Sequence, residues 1–560
     1  MHQSIAPWQR AEITLTAAHD HPDAYAGVAV WADFVHDSGA ALRRPAFWDG
    51  GRTWRVRFAS PLAGGRWRWR TEADVADPGL AGRTGELSVT DGAGAEADRA
   101  GAEPGAESGA EPGAESGAES GAVAGDGPFR RHGFWRMSPG GRSLVHADGT
   151  PALLVGDTVW ALPWRATEEQ VRVYAADRAA KGFNAALLMS VQPDMGARGP
   201  RDRTADQGFD VAFEDLADGG LDELNPGYFQ YLDRLLAILT DHGIVPVLQP
   251  VFQGFGWKGL SVAGTVVPPA AYARYCRYLV ARYGADPVVY LVGADGSGRE
   301  PQVEAGGREI EEWDAYGQPC GIHYRPHTVA NAHQDAPWLD FQWCQTGHGG
   351  DHVPERVADM WRNEPARGVA NGEPTYEHSG RRGKAAGWWQ GHEAWSNLCA
   401  GGTMGVVYGA GSLWQWVLRP GEPGHEPFFL VEGAGWREAL DFEGSGHVGM
   451  ISRVLAGLPT TDLRPSWTLT TAPRGLLSPG TLYVGYGERG GDLRFAPWAE
   501  GVVPLPYRVV DPRTGRITAA GVRETPGSTV PDPGGEPRVY LCYAGWGDDG
   551  PESADSSGRS

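Results

Sequence analysis

Lysine is almost missing from this 560-residue chain. Only Lys181, Lys258 and Lys384 occur, so the 49 basic residues are nearly all arginine, and they face 70 acidic ones for a formal charge of −21. That balance, without any Lys/Arg cluster, argues against a general nucleic-acid binder and against a protein held on an anionic membrane. Cysteine is scarce as well. Cys276, Cys320, Cys344, Cys399 and Cys542 are an odd five with no C-x-x-C spacing, which excludes a disulfide framework and a cysteine zinc site as readings of the pattern. No apolar run approaches the roughly 18 residues of a membrane span, and the opening MHQSIAPWQRAEITL lacks the apolar stretch of about 7 to 15 residues that marks a secretion signal. A soluble, cytoplasmic protein in a reducing compartment is the expectation, with neither nucleic acid nor membrane as partner.

Several chemical signatures are also missing. There is no G-x-S-x-G nucleophile elbow, no H-E-x-x-H zinc helix and no N-x-S/T acceptor. One G-x-G-x-x-G runs from Gly485 to Gly490, but the following GDLRFAPW reads as a strand, so no helix N-terminus waits there for a pyrophosphate. A hairpin is expected instead.

What the chain does have is tryptophan: 23, against 18 tyrosines and 16 phenylalanines. Most will be core and strand aromatics, yet such an excess suits surfaces that meet flat, partly apolar ligands such as sugar rings. Residues 91–127 repeat a Gly-Ala-Glu-Pro/Ser unit with almost nothing to bury, which predicts a disordered acidic linker spanning on the order of 35 Å. Before it, residues 1–90 alternate without helical period (AEITLTA, GVAVWADFV, TWRVRFAS, RWRWRTEA, GELSVT), the pattern of a small β-sandwich.

After the linker, strand and helix take turns. PALLVGD (Pro151 to Asp157) leads to a Thr167–Gln170 capping box and a helix ending at Lys181-Gly182. NAALLMS is followed, after a long loop, by an Asn225-Pro226 helix start, and IVPVLQ by a helix striped with Tyr272, Tyr275, Cys276, Leu279 and Tyr283. With VVYLVGAD, GIHYRPH, LDFQWCQ, GVANGE and GVVYGA the strand count reaches eight. Eight parallel strands in residues 128–457 predict a (β/α)8 TIM barrel, although an open doubly wound sheet has the same periodicity. Residues 458–548 return to short strands and read as a C-terminal β-sandwich, with a disordered tail at 549–560. The expected fold is multidomain: a central barrel flanked by two sandwiches.

In such a barrel the polar residues just after each strand are the candidates for chemistry. Asp295 ends the fourth strand and Glu373 the seventh, facing across the mouth as two-carboxylate glycosidic cleavage requires: one acid held protonated for the leaving oxygen, one ionised. Glu377 is a rival for the role of Glu373. Asp157, Trp160, Gln345, His348, Tyr376, Glu377 and Trp414 are expected to line a sugar subsite, with carbohydrate as partner and neither cofactor nor metal. A catalytically inactive carbohydrate-binding scaffold on the same barrel is the alternative. A metal-dependent barrel hydrolase is a third reading, and it requires His323, His327 and His348 to meet within about 4 Å.

GDTVWALPWRATEEQVRVYAADRAAKGFNA, LNPGYFQYLDRLLAILTDHGIVPVL, ARYGADPVVYLVGAD and NGEPTYE together resemble the apiosidase-like glycoside hydrolases over about Phe129 to Trp416. The resemblance implies a (β/α)8 barrel, an activity of the kind that releases apiose from plant pectin, and catalysis by Asp295 and Glu373. By analogy with barrel glycosidases Asp295 would be the acid/base. The family commonly has Gly-Gly-Asp where this chain has Gly293-Ala294-Asp295. The segment PAFWDGGRTWRVRFASPLAGGRWRWRTEA is similar to a β-sandwich of unknown function that often precedes such barrels, and YRVVDPRTGRI resembles a small C-terminal domain labelled collagen-binding in related proteins.

Overall fold

The computed structural model describes residues 2–91, 127–195, 210–254, 262–326, 332–347, 354–378, 386–420, 434–496, 505–523 and 529–546. The expected linker, apart from its two end residues, and the expected tail lie outside the described residues.

Seven strands come first: β1 His2–Ile5, β2 Arg10–Thr16, β3 Val30–His36, β4 Ala41–Trp48, β5 Thr53–Ala59, β6 Arg66–Ala73 and β7 Thr84–Val89. Their order is β1-β7-β6-β3-β4-β5-β2. Strand β4 changes partner midway, Ala41 to Pro45 pairing with β3 and Ala46 to Trp48 with β5. One ladder thus folds into two facing layers at a proline that has no N–H to contribute. On β6 the alternation buries Trp67 and Trp69 and leaves Arg66, Arg68 and Arg70 in solvent. Across the layers Phe34 stacks on Phe58 at 4.1 Å.

A small antiparallel meander follows, β8 Trp135–Met137, β9 Leu144–His146 and β10 Pro151–Ala152. The run expected as one strand from Pro151 to Asp157 is therefore two, because Pro151 and Ala152 pair back onto β9 before the chain enters the barrel. Eight parallel strands form the barrel wall: β11 Leu154–Thr158, β12 Ala185–Met189, β13 Val245–Gln249, β14 Val289–Gly296, β15 Cys320–Tyr324, β16 Phe341–Gln345, β17 Gly368–Glu373 and β18 Gly405–Gly409. Neighbours run in chain order from β11 to β17, and β18 pairs with β11. Between β17 and β18 the ring closes through Met404 N–H donating to the Val369 carbonyl at 3.2 Å and through a parallel bridge of Glu377 with Ala410. Every residue of β11, β12, β13, β15, β16, β17 and β18 is buried, as strands covered on both faces must be.

Helices cover the wall. The longer ones are α1 Glu168–Lys181, α2 Pro226–Asp241, α3 Pro269–Tyr283, α4 Pro301–Trp313, α5 Glu355–Trp361, α6 Trp388–Cys399 and α7 Glu443–Val454. The Thr167–Gln170 capping box opens α1 and a left-handed Gly182 closes it; Asn225 caps α2 through the Gly227 N–H at 3.0 Å. None of the described helices is long and apolar enough to cross a membrane.

The sandwich docks on the outside of the barrel through arginines. Arg57 of β5 donates to Asp233 of α2 at 2.6 Å, and Arg282 of α3 donates to Asp233 at 2.8 Å and to Asp49 at 3.0 Å. Arg44, fully buried, reaches the Val280 carbonyl at 2.8 Å and lies over the Tyr316 ring. A planar fork with five donors suits such buried pairing better than an ammonium does, which gives the arginine-rich composition a structural use.

At the C-terminal end, β19 Arg464–Pro465, β20 Arg474–Ser478, β21 Leu482–Gly487, β22 Leu493–Arg494, β23 Leu505–Val510, β24 Ile517–Arg523, β25 Thr529–Val530 and β26 Arg538–Tyr543 form a six-stranded sheet and a two-stranded ribbon of β22 with β25. The expected hairpin after Gly485 is a turn between the two, since β21 and β22 do not pair. SWTLTTA contributes only a bridge from Thr470 to Phe495.

Candidate active site

The meander lies at the start of β17, where the Met137 methyl sits close to Gly368, so the opposite rim, at the C-terminal strand ends, is where chemistry belongs. Two strands break register there. On β14, Ala294 pairs with His323 and Gly296 with Tyr324, leaving Asp295 as an extra residue with φ of 58°. Aspartate enters that left-handed region more readily than most residues. On β17, Asn371 pairs with Cys344 and Glu373 with Gln345, leaving Gly372 over. A Cβ on Gly372 would stand 2.6 Å from the Trp343 ring, so only glycine fits. Each bulge re-aims the side chain at or after it. Together they bring a carboxylate oxygen of Asp295, one of Glu373 and a ring nitrogen of His323 within 4.8 Å of one another.

The environment separates the two acids. Burial, and after it the nearby charge of Glu373, push the Asp295 carboxyl well above the usual carboxylate range; a hydrogen bond from Gln345 opposes this. Glu373 faces His323, whose Nε2 is 3.6 Å from Glu373 Oε2. The fully buried His323 ring lies nearly parallel to Trp160, centroids 6.3 Å apart. Burial and the charges of Glu373 and Asp295 also raise the Tyr376 phenol far above its ordinary value, so it stays protonated and able to donate. Glu393 of α6 braces the strand ends on both sides, accepting from the Thr346 hydroxyl at 3.2 Å and the Thr375 N–H at 3.1 Å.

Of the residues expected here, Asp295, Glu373, Gln345, Tyr376 and Trp160 do converge. Trp414 follows β18, half-buried, its carbonyl accepting from the Ala161 N–H. His348 and His327 lie outside the described residues. Two expectations are overturned. Asp157 does not line the mouth: it is fully buried behind the wall, its Oδ2 accepting from Arg178 Nε of α1 at 2.6 Å. Nor does Glu377 contact the site. Its Oε1 accepts from the Gly387 and Gly444 N–H groups at 2.7 and 3.0 Å and its Oε2 from the Tyr408 hydroxyl at 2.6 Å. Parity explains Asp157, the direct partner of Tyr408 in the ladder, because paired residues share a side, here the helix side; Glu377 bridges to Ala410, two residues beyond Tyr408 and so on that same side.

The sequence pattern marks His323 as a structural or sugar-contacting histidine, and as a metal ligand only in the third reading; the structure places it beside Glu373, and a polar residue inside the strand GIHYRPH was its one signal. Asp295, His323 and Glu373 are the one group of acidic, histidine or cysteine residues among those described whose donor atoms converge tightly enough to hold a metal ion. The two carboxylates of the group are of the kind that acid–base chemistry on a glycosidic bond employs.

A (β/α)8 barrel that carries paired carboxylates at the ends of its fourth and seventh strands belongs to the architecture of barrel glycoside hydrolases. Residues 138–462 match the apiosidase-like catalytic domain, and the protein is a member of that family and a glycoside hydrolase. Residues 4–74 match a domain of unknown function, DUF5060. No curated protein matches the chain. Among solved structures, one described as a glycoside hydrolase is 18% identical, with a TM-score of 0.63 over 75% of this chain and 99% of its own. A glycoside hydrolase family 5 protein from Bacteroides vulgatus ATCC 8482 is also 18% identical, with a TM-score of 0.62 over 75% and 95%. Another structure from the same organism covers 97% of this chain and 99% of its own at 16% identity, with a TM-score of 0.64. These likenesses establish the fold.

Proposed function

We propose that this glycoside hydrolase works by a two-carboxylate mechanism with retention of configuration, Asp295 as acid/base and Glu373 as nucleophile. The observation that supports it is the approach of the two carboxylates to within 4.8 Å, together with an Asp295 proton held well above the normal range. Retaining enzymes keep the two groups about 5 to 5.5 Å apart, whereas inversion needs about 6.5 to 9.5 Å to admit a water between sugar and base. In the first step a Glu373 oxygen bonds to the anomeric carbon while the Asp295 proton passes to the departing glycosidic oxygen. In the second, ionised Asp295 takes a proton from water, which attacks the anomeric carbon and releases Glu373. His323 and Tyr376 hold Glu373 in line. Gln345 orients Asp295, and Trp160, Trp414 and His348 are proposed to border the sugar.

The substrate is read as a plant-type or microbial oligosaccharide, and the family makes apiosides the first to try. The test is hydrolysis of aryl glycosides, apiosides included, and pectic oligosaccharides by the wild type beside Asp295→Asn and Glu373→Gln, with the first-formed product anomer followed by proton NMR. Retained configuration and collapse of turnover in both folded variants are expected. An inverted product, or turnover that survives either substitution, would sink the assignment.

A further inference from the structure

A bulge that holds aspartate at positive φ is strained and persists only where its surroundings insist on it. It also strands ladder groups on the backbone, and buried backbone groups must find partners. At β14 those partners come from one side chain of the neighbouring strand end and the tyrosine it touches. Gln253, 1% exposed, accepts the Ala294 N–H on its Oε1 at 2.9 Å, while its own backbone N–H donates to the Ala294 carbonyl at 3.3 Å. Its Nε2 donates to the Tyr272 hydroxyl at 2.9 Å, and that hydroxyl donates to the Val292 carbonyl at 2.5 Å. On the far side of the aspartate, Gly296 packs on the Gln253 side chain so closely that a Cβ on the glycine would lie 3.1 Å from that of Gln253. The residue before Asp295 is thus bonded to the Gln253 amide and the residue after it lies against the Gln253 Cβ.

We propose that Gln253, through Tyr272, is a positioning residue that locks the β14 bulge and so aims the Asp295 carboxyl at Glu373. The inference rests on Asp295 being the acid of the proposed mechanism. Gln253 itself reaches Asp295 only through the backbone. Methionine in its place fills nearly the same volume but has no amide, so Ala294 N–H and the Tyr272 hydroxyl lose a partner and the bulge relaxes, carrying the carboxyl away from Glu373.

Two readouts on the full chain decide it. The first needs no substrate: carboxyl carbon NMR titration of wild type and Gln253→Met, with the Asp295 resonance assigned by its loss in Asp295→Asn. The expected result is titration at distinctly lower pH in Gln253→Met, because the carboxyl is then less deeply buried and farther from the Glu373 charge; an unmoved titration in a folded variant overturns the proposal. The second compares aryl glycosides of falling leaving-group pKa. Gln253→Met should lose about a hundredfold in kcat/KM on poor leaving groups, as a misplacement of about 1 Å commonly does, and far less on dinitrophenyl glycosides, which depart without acid help. Equal losses on all leaving groups would mean a merely structural role. If Asp295→Asn shows no leaving-group dependence, the acid assignment fails. If Asp295→Asn shows it and Gln253→Met does not, only the positioning role fails.

Discussion

Glu373 and Glu377 stand four residues apart on one strand and its extension, yet their surroundings differ, and a paired substitution tests the separate duties proposed for them. Glu377, 1% exposed, accepts three hydrogen bonds: from Gly387 just ahead of α6, from Gly444 in the first turn of α7, and from Tyr408 of β18. A charged acceptor at helix N-termini is worth more than a neutral one, about 1.5 to 3 kcal/mol per bond against about 1. Glu377→Gln keeps an oxygen for both N–H groups and turns its amide toward Tyr408, so the loss is the charge contribution, about 2 to 3 kcal/mol in all. Glu377→Ala leaves three buried donors unmatched, on the order of 5 kcal/mol. Thermal melts should therefore fall by several degrees for Glu377→Gln, and further for Glu377→Ala. The kcat/KM of the folded Glu377→Gln protein should stay within about threefold of wild type, since less than 1 kcal/mol of transition-state contact is touched. Glu373→Gln should do the reverse: an intact melt and no turnover. Loss of turnover in Glu377→Gln at unchanged Tm would refute the division of labour.

Three further outcomes are expected. Asp295 binds its proton more tightly folded than unfolded, so its ionisation opposes folding; stability is lost as pH rises through the raised value, and every tenfold difference in proton affinity is worth about 1.4 kcal/mol. Asp295→Asn should accordingly melt higher than wild type above that pH, with the gap closing in acid, and a gap that grew in acid would contradict the sign. Breaking the buried Asp157–Arg178 pair by Asp157→Asn or Arg178→Met should each cost about 3 to 5 kcal/mol, with a double-mutant cycle showing clear coupling; additive losses would deny the pairing. Gly372→Ala forces a methyl into the Trp343 ring and should cut kcat about a hundredfold through Glu373, with rescue by a smaller residue at position 343; a fully active Gly372→Ala would show that the β17 bulge does not aim Glu373.

The eight barrel strands were legible because buried parallel strands read as continuous apolar runs closed by glycine-led turns, and the rule that chemistry sits at their C-terminal ends picked out Asp295 and Glu373. What a strand-end rule does not carry is direction. Asp157 is next to last in β11 as Asp295 is in β14, but one lies in regular alternation, paired with Tyr408, and the other is the extra residue of a bulge. Local sequence says little about a bulge, since it depends on what the neighbouring strand supplies. For Asp295 that supply comes from Gln253 and Tyr272, more than twenty residues upstream. In the C-terminal region SWTLTTA alternates well, yet makes only one bridge, because propensity yields to the edges that packing leaves open.

The misplaced acids have a physical logic of their own. Barrel closure is thinnest between β17 and β18, where the ring depends on the Met404 N–H and the Glu377–Ala410 bridge, while every other pair of neighbours shares a ladder. Behind that seam runs a buried polar chain. Glu377 holds the starts of α6 and α7 and the Tyr408 hydroxyl, Arg178 lies over the Tyr408 ring at 5.7 Å, and Asp157 neutralises Arg178. A weakly laddered seam needs cross-links that hold the flanking helices against it, and a carboxylate with three donors supplies more of them than any apolar side chain. Asp157 and Glu377 are therefore committed to the packing behind the seam, and the two acids at bulges are the ones whose carboxylates converge beside His323.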